Sequence, residues 1–518
     1  MTKPRLTTDL LREQATARPL DLAVAVDGGA EITFGELDAR TDRIGCGLAA
    51  AGVEPQDKVV VLASNDDAVD AVAAHFGVHK AGAVAVPLNV RMPPRELAAL
   101  AQGSGCRAGL ASASFSGSEA AHALADCLPL GLYEAAGGVR TCAGWPDLEA
   151  PALRAKAPGG RFQVDVGTRA LADLLPTSGT TGRPKYVAAS HADALSLVRN
   201  PLPFAGGTYL HAVPLFTFTG AQALTLVPLA SGMCQLVQSP FSPERFLELI
   251  ARADAAFLVP AMAVLCSKQP SFTSLAAESL KLVMLGTAAT PPSVIAAWAK
   301  QLPRSALLNL YGLTEGGGAV CAIGGKELLE HPDAAGRPVP PAELLVIRPD
   351  GTPCEHLEPG EVLLRQPGLR RSYIGDEEAT ASTFDSEGWV HTGDVGYVDD
   401  SGLLFVVDRI KDLVIRGGFN ISSVEVEDAL LELPEVTDAA VIGVEHEVLG
   451  EDVVAFVVIA PGAEQDLDAL RAHCSARLAD YKVPRLVWTL SELPRNPTGK
   501  VQKAQLRAEA RRRMAART

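Results

Sequence analysis

The sequence predicts an α/β protein: a large N-terminal domain of layered α/β subdomains with parallel sheets and a β-rich part, followed by a small α+β domain. Three observations carry this. Apolar runs of strand length alternate with helical periodicity well past the middle of the chain. Near Trp389 the texture changes to short strands paired about a turn. At 518 residues the chain also exceeds what one hydrophobic core organises, so two or three domains are expected.

The elements follow in order. KVVVLAS from Lys58 reads as a buried strand, Ser64 or Asn65 can cap a helix running to Lys80, and GAVAVPL from Gly82 returns as a second strand, making a βαβ unit. LKLVMLG, ending at Gly286, and the helical run Pro292 to Gln301 continue the alternation, which favours parallel sheet. In GWVHTGDVGYVDDSGLLFVVDRIKD two strands flank an Asp-Asp-Ser-Gly turn. Ser422 and Glu425 then stand at capping-box spacing before a helix to Leu433 that Pro434 stops. Strands VTDAAVIGV and EDVVAFVVI follow, and a helix from Asp466 to Asp480 carries Leu467, Leu470, Cys474 and Leu478 on one stripe. The boundary is expected between Arg409 and Asp412, giving domains 1–409 and 410–518.

Composition excludes several partners. A net charge of −15 argues against nucleic acid and anionic membrane, both of which are bound through clustered cations. Arg507, Arg511, Arg512 and Arg513 read as a solvated helical tail. The nine cysteines form no CxxC pair and no zinc pattern, so they are expected to be reduced. With no signal-peptide order and no apolar run of about twenty residues, the expected location is the cytoplasm.

Four segments carry chemistry. In LPTSGTTGRPKYV, Leu175 to Val187, an apolar strand enters a loop of hydroxyl and glycine residues that ends in a lysine. Glycines admit close backbone approach, hydroxyls and amides donate to phosphate oxygens, and the lysine adds charge. The spacing from Gly179 to Lys185 is not that of a P-loop. A Gly/Ser linker fits the composition but leaves the strand and the lysine unexplained. In LLNLYGLTEGGG a strand ends at Asn309 to Glu315, where Tyr311 can stack on a purine, Thr314 can bind phosphate and Glu315 can hold Mg²⁺; a Tyr-Gly turn with a solvated glutamate is the plainer alternative. HTGD ends at Asp394 with Arg409 fifteen residues on, a pair suited either to ribose hydroxyls or to a surface ion pair. PRNPTGKVQK presents Lys500 on a short loop, where a lone lysine is ordinarily idle.

Taken together, and with TFGELDARTDRIGCGLAAAGV at Thr33, GAVAVPLNV at Gly82 and DRIKD at Asp408, these segments resemble the adenylate-forming superfamily of acyl-CoA synthetases, nonribosomal-peptide adenylation domains and luciferase. The resemblance covers nearly the whole chain. It implies that Thr177, Ser178, Gly179, Thr180, Thr181 and Gly182, with Lys185, close over the β- and γ-phosphates of ATP. It places Asn309, Tyr311 and Gly312 on one side of the adenine and Gly286, Thr287 and Ala288 on the other, Thr314 at the α-phosphate, Glu315 at Mg²⁺, and Asp394 with Arg409 on the ribose. Lys500 would bridge the substrate carboxylate and the α-phosphate as negative charge crowds there. The small domain would be mobile, hinged at Lys411, with Gly417 and Gly418 lining the passage for the coenzyme A thiol.

Two positions depart from that pattern. The family's aromatic-His gate reads here Phe216-Thr217, and the glycine after the loop lysine is Tyr186, which either packs, stiffens the loop or reaches the substrate. Phe216, Thr217, Phe218, Gly220, Ala221, Thr287 and Leu313 suggest a largely apolar acyl pocket. No Asp lies between Phe216 and Gly220 to pair with an α-ammonium, which points to an acid without an α-amino group. The expected reaction is AMP-forming ligation of a small-molecule, non-amino carboxylic acid to coenzyme A, using ATP and Mg²⁺. The alternative acceptor is the phosphopantetheine of a separate carrier protein; the chain's stop soon after Lys503, with no fused carrier, favours coenzyme A. A non-catalytic relative would have lost Lys500, Glu315 or the TSGTTG loop, and all are present. Pyrophosphate exchange with the common α-amino acids is accordingly expected to stay at background; measurable exchange with any of them would overturn the pocket assignment.

Overall fold

The computed structural model describes residues 6–115, 117–134, 161–177, 185–199, 201–460, 462–463, 466–495 and 500–515. The chain divides into two compact units. One comprises Met1–Pro332, Pro338–Glu343 and Arg365–Val390, the other Asp333–Arg337, Leu344–Leu364 and His391–Thr518.

The first unit is built on two sheets. In the nine-stranded sheet the strands Ala306–Leu313, Leu282–Gly286, Ala255–Leu258, Thr208–His211, Cys234–Val237 and Leu22–Val26 are neighbours in that order and all parallel. In the seven-stranded sheet Leu171–Thr177, Val84–Pro87, Lys58–Leu62, Cys106–Ala111 and Leu132–Glu134 are parallel, and Lys185–Ser190 and Ser372–Tyr373 extend one edge antiparallel. The expected βαβ unit is therefore present, as are the strand ending at Gly286 and the helix Pro292–Gln301.

Helix Ala68–Lys80 touches strands of both sheets, and all but Asp70 of its 13 residues are buried. Its sequence, AVDAVAAHFGVHK, is small and apolar on every face, as a helix enclosed on all sides requires. The three basic side chains at its end must then be satisfied inside. Lys80 Nζ lies 2.6 Å from carboxylate oxygens of both Asp38 and Asp42. His75 and His79, one turn apart, each bring Nε2 within 3.1 Å of Asp173 Oδ1 on the neighbouring strand. The helix starts later than the capping signal suggests: Asn65–Asp67 form a 3₁₀ turn first. Asn65 is occupied elsewhere, since its Oδ1 accepts from Leu215 N at 2.9 Å and its Nδ2 donates to Val213 O at 3.0 Å. That bond pair fixes the segment leading into Phe216.

The second unit contains a five-stranded sheet of Phe419–Ile421, Val414–Arg416, Gly450–Ile459, Val436–His446 and Leu486–Thr489, and most of a four-stranded sheet that ends in the hairpin Val390–Val398, Leu404–Arg409. Ser422 caps the helix Ser423–Leu431 as expected, its Oγ accepting from Glu425 N at 3.2 Å. The helix stops at Leu431 rather than Leu433, because Pro434 bars its preceding residue from helical backbone. The later helix spans Leu467–Arg477, so Leu470 and Cys474 are buried on its stripe while Leu478 lies just past its end. Asp408 ties the hairpin to the first of these helices, accepting from both Ser423 N and Ser423 Oγ at 2.6 Å. Eight cysteines are described and all are free, and no described helix is long and apolar enough to cross a membrane.

Thr7 Oγ1 lies 2.8 Å from His79 Nδ1 and 3.1 Å from His191 Nδ1. Burial lowers the pKa of both rings, bringing His191 to about 3. The unfolded chain thus binds more protons than the folded one below the ordinary histidine value, so stability present above pH ~6.5 is lost as pH falls towards ~3. Denaturant titrations near neutrality and near pH ~5 are expected to show this loss, at no more than about 1.4 kcal/mol per pH unit for each such histidine. Replacing His191 with Gln should flatten the slope; an unchanged slope would exclude it as a contributor.

Candidate functional site

Among the described site residues of the first unit, Thr177, Gly286 and Leu313 lie at the carboxyl ends of strands in the parallel runs, where open α/β sheets leave room for ligands. Strand Leu282–Gly286 ends at a buried glycine, and Thr287 follows at φ 80°, an unfavourable backbone for a β-branched residue that costs about 1–3 kcal/mol. Asn309 pairs across to Leu285, and its Oδ1 accepts from Thr290 Oγ1 at 3.3 Å. The YGLTE segment was expected to form a loop beyond its strand. Instead the strand runs through Tyr311, Gly312 and Leu313 and turns back antiparallel through Gly318–Gly324. A side chain at Gly312 would put Cβ 1.8 Å from Gly318 O, so only glycine lets the two backbones meet. The free turn is reduced to Thr314 through Gly317.

One segment holds that turn at three points. Gln366 Nε2 donates to Gly316 O at 3.0 Å, the Arg371 guanidinium donates to Thr314 O, and Tyr373 OH donates to Glu315 Oε1 at 2.7 Å. Burial, and then the Glu315 carboxylate, push the Tyr373 phenol up, which keeps it protonated as a donor. Tyr373 pairs with Val187 on the strand that begins at Lys185. Lys185 Nζ lies 5.1 Å from the centre of the Tyr373 ring and 3.3 Å from Asp376. Lys185, Tyr373 and Glu315 therefore form one cluster. Lys185 opens the strand Lys185–Ser190, opposite Thr177, whose Oγ1 donates to Lys185 O at 3.4 Å. Ser178, Gly179, Thr180, Thr181 and Gly182 lie outside the described residues.

Ala221 joins the acyl-pocket residues, packing in one cluster with Phe218 and lining a cavity with Phe216. Phe216 and Ala221 line this internal cavity together with Val72, His75 and Thr225. Phe218 also packs under the Arg371 guanidinium, 5.2 Å from its Cζ. Thr217 Oγ1 donates to Pro214 O at 2.8 Å and accepts from Gly220 N at 3.1 Å, so its hydroxyl caps the turn opening the next helix. Gly220 is forced by close packing, since a Cβ there would lie 2.2 Å from Pro214 O. Tyr186 is buried in the core beside Leu174 and Ala188, which decides its role as packing. Leu313 is not among the cavity's lining residues.

In the second unit Asp394 and Arg409 sit directly opposite each other across the hairpin, 3.0 Å apart. Asp394 is buried while Arg409 is partly exposed. Gly417 and Gly418, at φ 60° and 85°, form the two-residue turn between Val414–Arg416 and Phe419–Ile421. Lys411 is exposed, and its carbonyl accepts from Arg507 at 3.0 Å. Lys500 is exposed beside the Arg495–Val501 bridge; Asn496 to Gly499 are outside the described residues.

Sequence reading missed Arg371, Tyr373 and the buried group around Asp173. RRSYIG matches no chemical motif, and only the hydrogen bonds to Thr314 and Glu315 show that Arg371 and Tyr373 meet the same turn. The His75, His79 and Asp173 atoms are close enough to share a metal ion. They also close on themselves, each Nε2 meeting Oδ1 while Gln222 Nε2 donates to Oδ2.

The AMP-binding enzyme family model matches residues 11–374, and that of the AMP-binding enzyme C-terminal domain matches residues 425–500. The chain belongs to the AMP-binding enzyme family. It is 31% identical over 98% of its length to the whole of a 3-[(3aS,4S,7aS)-7a-methyl-1,5-dioxo-octahydro-1H-inden-4-yl]propanoyl:CoA ligase of Rhodococcus jostii. It is 32% identical to a 2-succinylbenzoate–CoA ligase of Geobacillus kaustophilus, with 96% of each chain covered. Among solved structures it superposes on ATP-bound MatB from Rhodopseudomonas palustris with a TM-score of 0.85, at 27% identity, covering 97% of this chain and 98% of that one. The resemblance read from the motifs and the layered fold expected from the alternating elements both hold.

Tyr373→Phe removes one hydrogen bond to a carboxylate, an interaction of about 1.5–3 kcal/mol. The expected result is a rise in the KM for ATP, roughly 10-fold or more, with thermal stability little changed. An unaltered KM would reduce Tyr373 to a packing residue.

Proposed function

We propose that this enzyme activates a non-amino carboxylic acid with ATP, releasing pyrophosphate, and transfers the acyl group from the adenylate to the thiol of coenzyme A. The observation that carries the reading is the Thr314–Gly317 turn clustered with Lys185 through Tyr373, in a chain whose full-length relatives are acid:CoA ligases. Thr177 to Gly182 and Lys185 hold the β- and γ-phosphates, Thr314 the α-phosphate, and Asp394 with Arg409 the ribose. Asn309, Tyr311 and Gly312 bound the adenine on one side and Gly286 to Ala288 on the other. Lys500 offsets charge between the attacking carboxylate and the α-phosphate.

Glu315 fits a hard cation: Tyr373 donates to one carboxylate oxygen and orients the group, and the carboxylate would hold the metal. Bound there, Mg²⁺ would neutralise phosphate charge. We assign residues 1–409 to the nucleotide-binding domain and 410–518 to a mobile lid hinged at Lys411, with Gly417 and Gly418 on the thiol passage. The apolar Phe216–Ala221 segment and the ring-bearing acids in the relatives' names favour a largely apolar, cyclic acid. The free cysteines fit a cytoplasmic location.

The deciding experiment is ATP-dependent pyrophosphate release over a panel of fatty, aryl and polycyclic acids, with and without coenzyme A, with the products weighed. Acyl-CoA is the expected product. An adenylate that accumulates and ignores coenzyme A would redirect the assignment to carrier-protein loading, and no release with any acid would reject it. Lys500→Ala should slow adenylation by orders of magnitude and leave thioester formation from supplied adenylate comparatively intact; equal loss of both half-reactions would refute alternation of the lid.

A further inference from the structure

Arg371 is 6% exposed, so its guanidinium must be paid for by partners inside the unit. One arm donates to the Thr314 carbonyl, and Nη2 donates to Gln222 Oε1 at 3.3 Å. The other end of that amide, Gln222 Nε2, donates to Asp173 Oδ2, and Asp173 is fully buried. Asp173 Oδ1 is held in turn by His75 and His79, each at 3.1 Å, on the helix enclosed between the sheets. The aromatic face of Phe218 closes the remaining side at 5.2 Å. One amide therefore bridges a buried carboxylate in the core and the cation that holds the turn carrying Thr314 and Glu315.

We infer that Arg371 is a positioning residue for adenylation, fixing the Thr314–Glu315 turn against the core through Gln222 and Asp173. The inference rests on the proposed role of Thr314 and Glu315 at the phosphates and metal. Its geometry separates it from a generic buried ion pair. Arg371 and Tyr373 are two residues apart at a strand edge, where alternate side chains share a face, and both reach the same turn, one its backbone and the other its carboxylate. Burial lowers Arg371 only to about 10, so it stays a cation at neutral pH, and Asp193, Glu315 and Asp173 all favour that charge. Lysine at 371 supplies a point charge able to reach the carbonyl or the amide, whereas the guanidinium fork spans both. Gln222 touches neither Thr314 nor Glu315 in any described hydrogen bond; it meets Arg371 on one side and Asp173 on the other, which is why melting temperature is read alongside activity.

The test uses the full chain and compares wild type with Arg371→Met, Arg371→Lys and Gln222→Met. Each is measured for ATP binding by calorimetry, for pyrophosphate release, for thioester formation from supplied acyl adenylate, and for melting temperature. Arg371→Met is expected to lower kcat/KM for adenylation roughly 100-fold, the scale of a misplaced reacting group, with thioester formation changed less than about 3-fold. Arg371→Lys should recover part of the loss, and Gln222→Met should raise the KM for ATP while retaining a folded protein. Should Arg371→Met fail to fold, the Gln222→Met and Arg371→Lys results stand in its place. Adenylation unchanged in the folded variants, or both half-reactions falling together with melting temperature, would overturn the inference. Wild-type protein that neither binds ATP nor releases pyrophosphate would instead reject the parent assignment, and the positioning role with it.

Discussion

Helix Ala68–Lys80 lies between two sheets with only Asp70 outside the buried set, and water cannot satisfy what it carries. A buried cation or imidazole without partners is costly, so the positions around this helix are constrained by its last six residues. Lys80 requires the carboxylates of Asp38 and Asp42, which in turn bind Arg12 of helix Thr7–Ala17, at 2.7 Å in the case of Asp42. His75 and His79 require Asp173, and this fixes strand Leu171–Thr177 relative to the helix. That strand ends at Thr177, where the glycine-rich loop begins. The interior polar network is thus built onto the strand that leads, in sequence, into the glycine-rich segment.

From this frame the site is assembled by edges. The parallel strands of both sheets deliver their carboxyl ends to loops, and the antiparallel additions at Lys185–Ser190 and Ser372–Tyr373 carry Lys185 and Tyr373 to the turn following Ala306–Leu313. Strain appears where the frame allows least adjustment: Thr287 holds a left-handed backbone directly after a buried glycine. Such a conformation persists only where surrounding structure over-determines it.

The second unit shows alternation along a strand used twice. Asp408 and Arg409 are neighbours, so their side chains leave opposite faces of the hairpin. Arg409 meets Asp394 across the ladder, while Asp408 meets the amino end of helix Ser423–Leu431. One short strand therefore both presents a charged pair and anchors the helical layer of the C-terminal sheet.

Much of this was legible in the residues. Strand length, helical periodicity and capping spacing identified the βαβ unit, the hairpin and the C-terminal strands because those signals depend on neighbours within a few positions. The motifs pointed to the family for the same reason, since each is a short stretch and together they resemble it, and the family model matches residues 11–374; the roles proposed for Lys185, Glu315, Asp394 and Arg409 follow from that resemblance. What the sequence left open was decided by contacts between distant segments. Asn65 abandons its cap because Val213 and Leu215 lie beside it, Tyr186 turns into the core, and Thr217 is spent on the Pro214 carbonyl. Arg371 carries no local signal at all, since its partners stand 57 and 149 positions away and only the packed sheets bring them together.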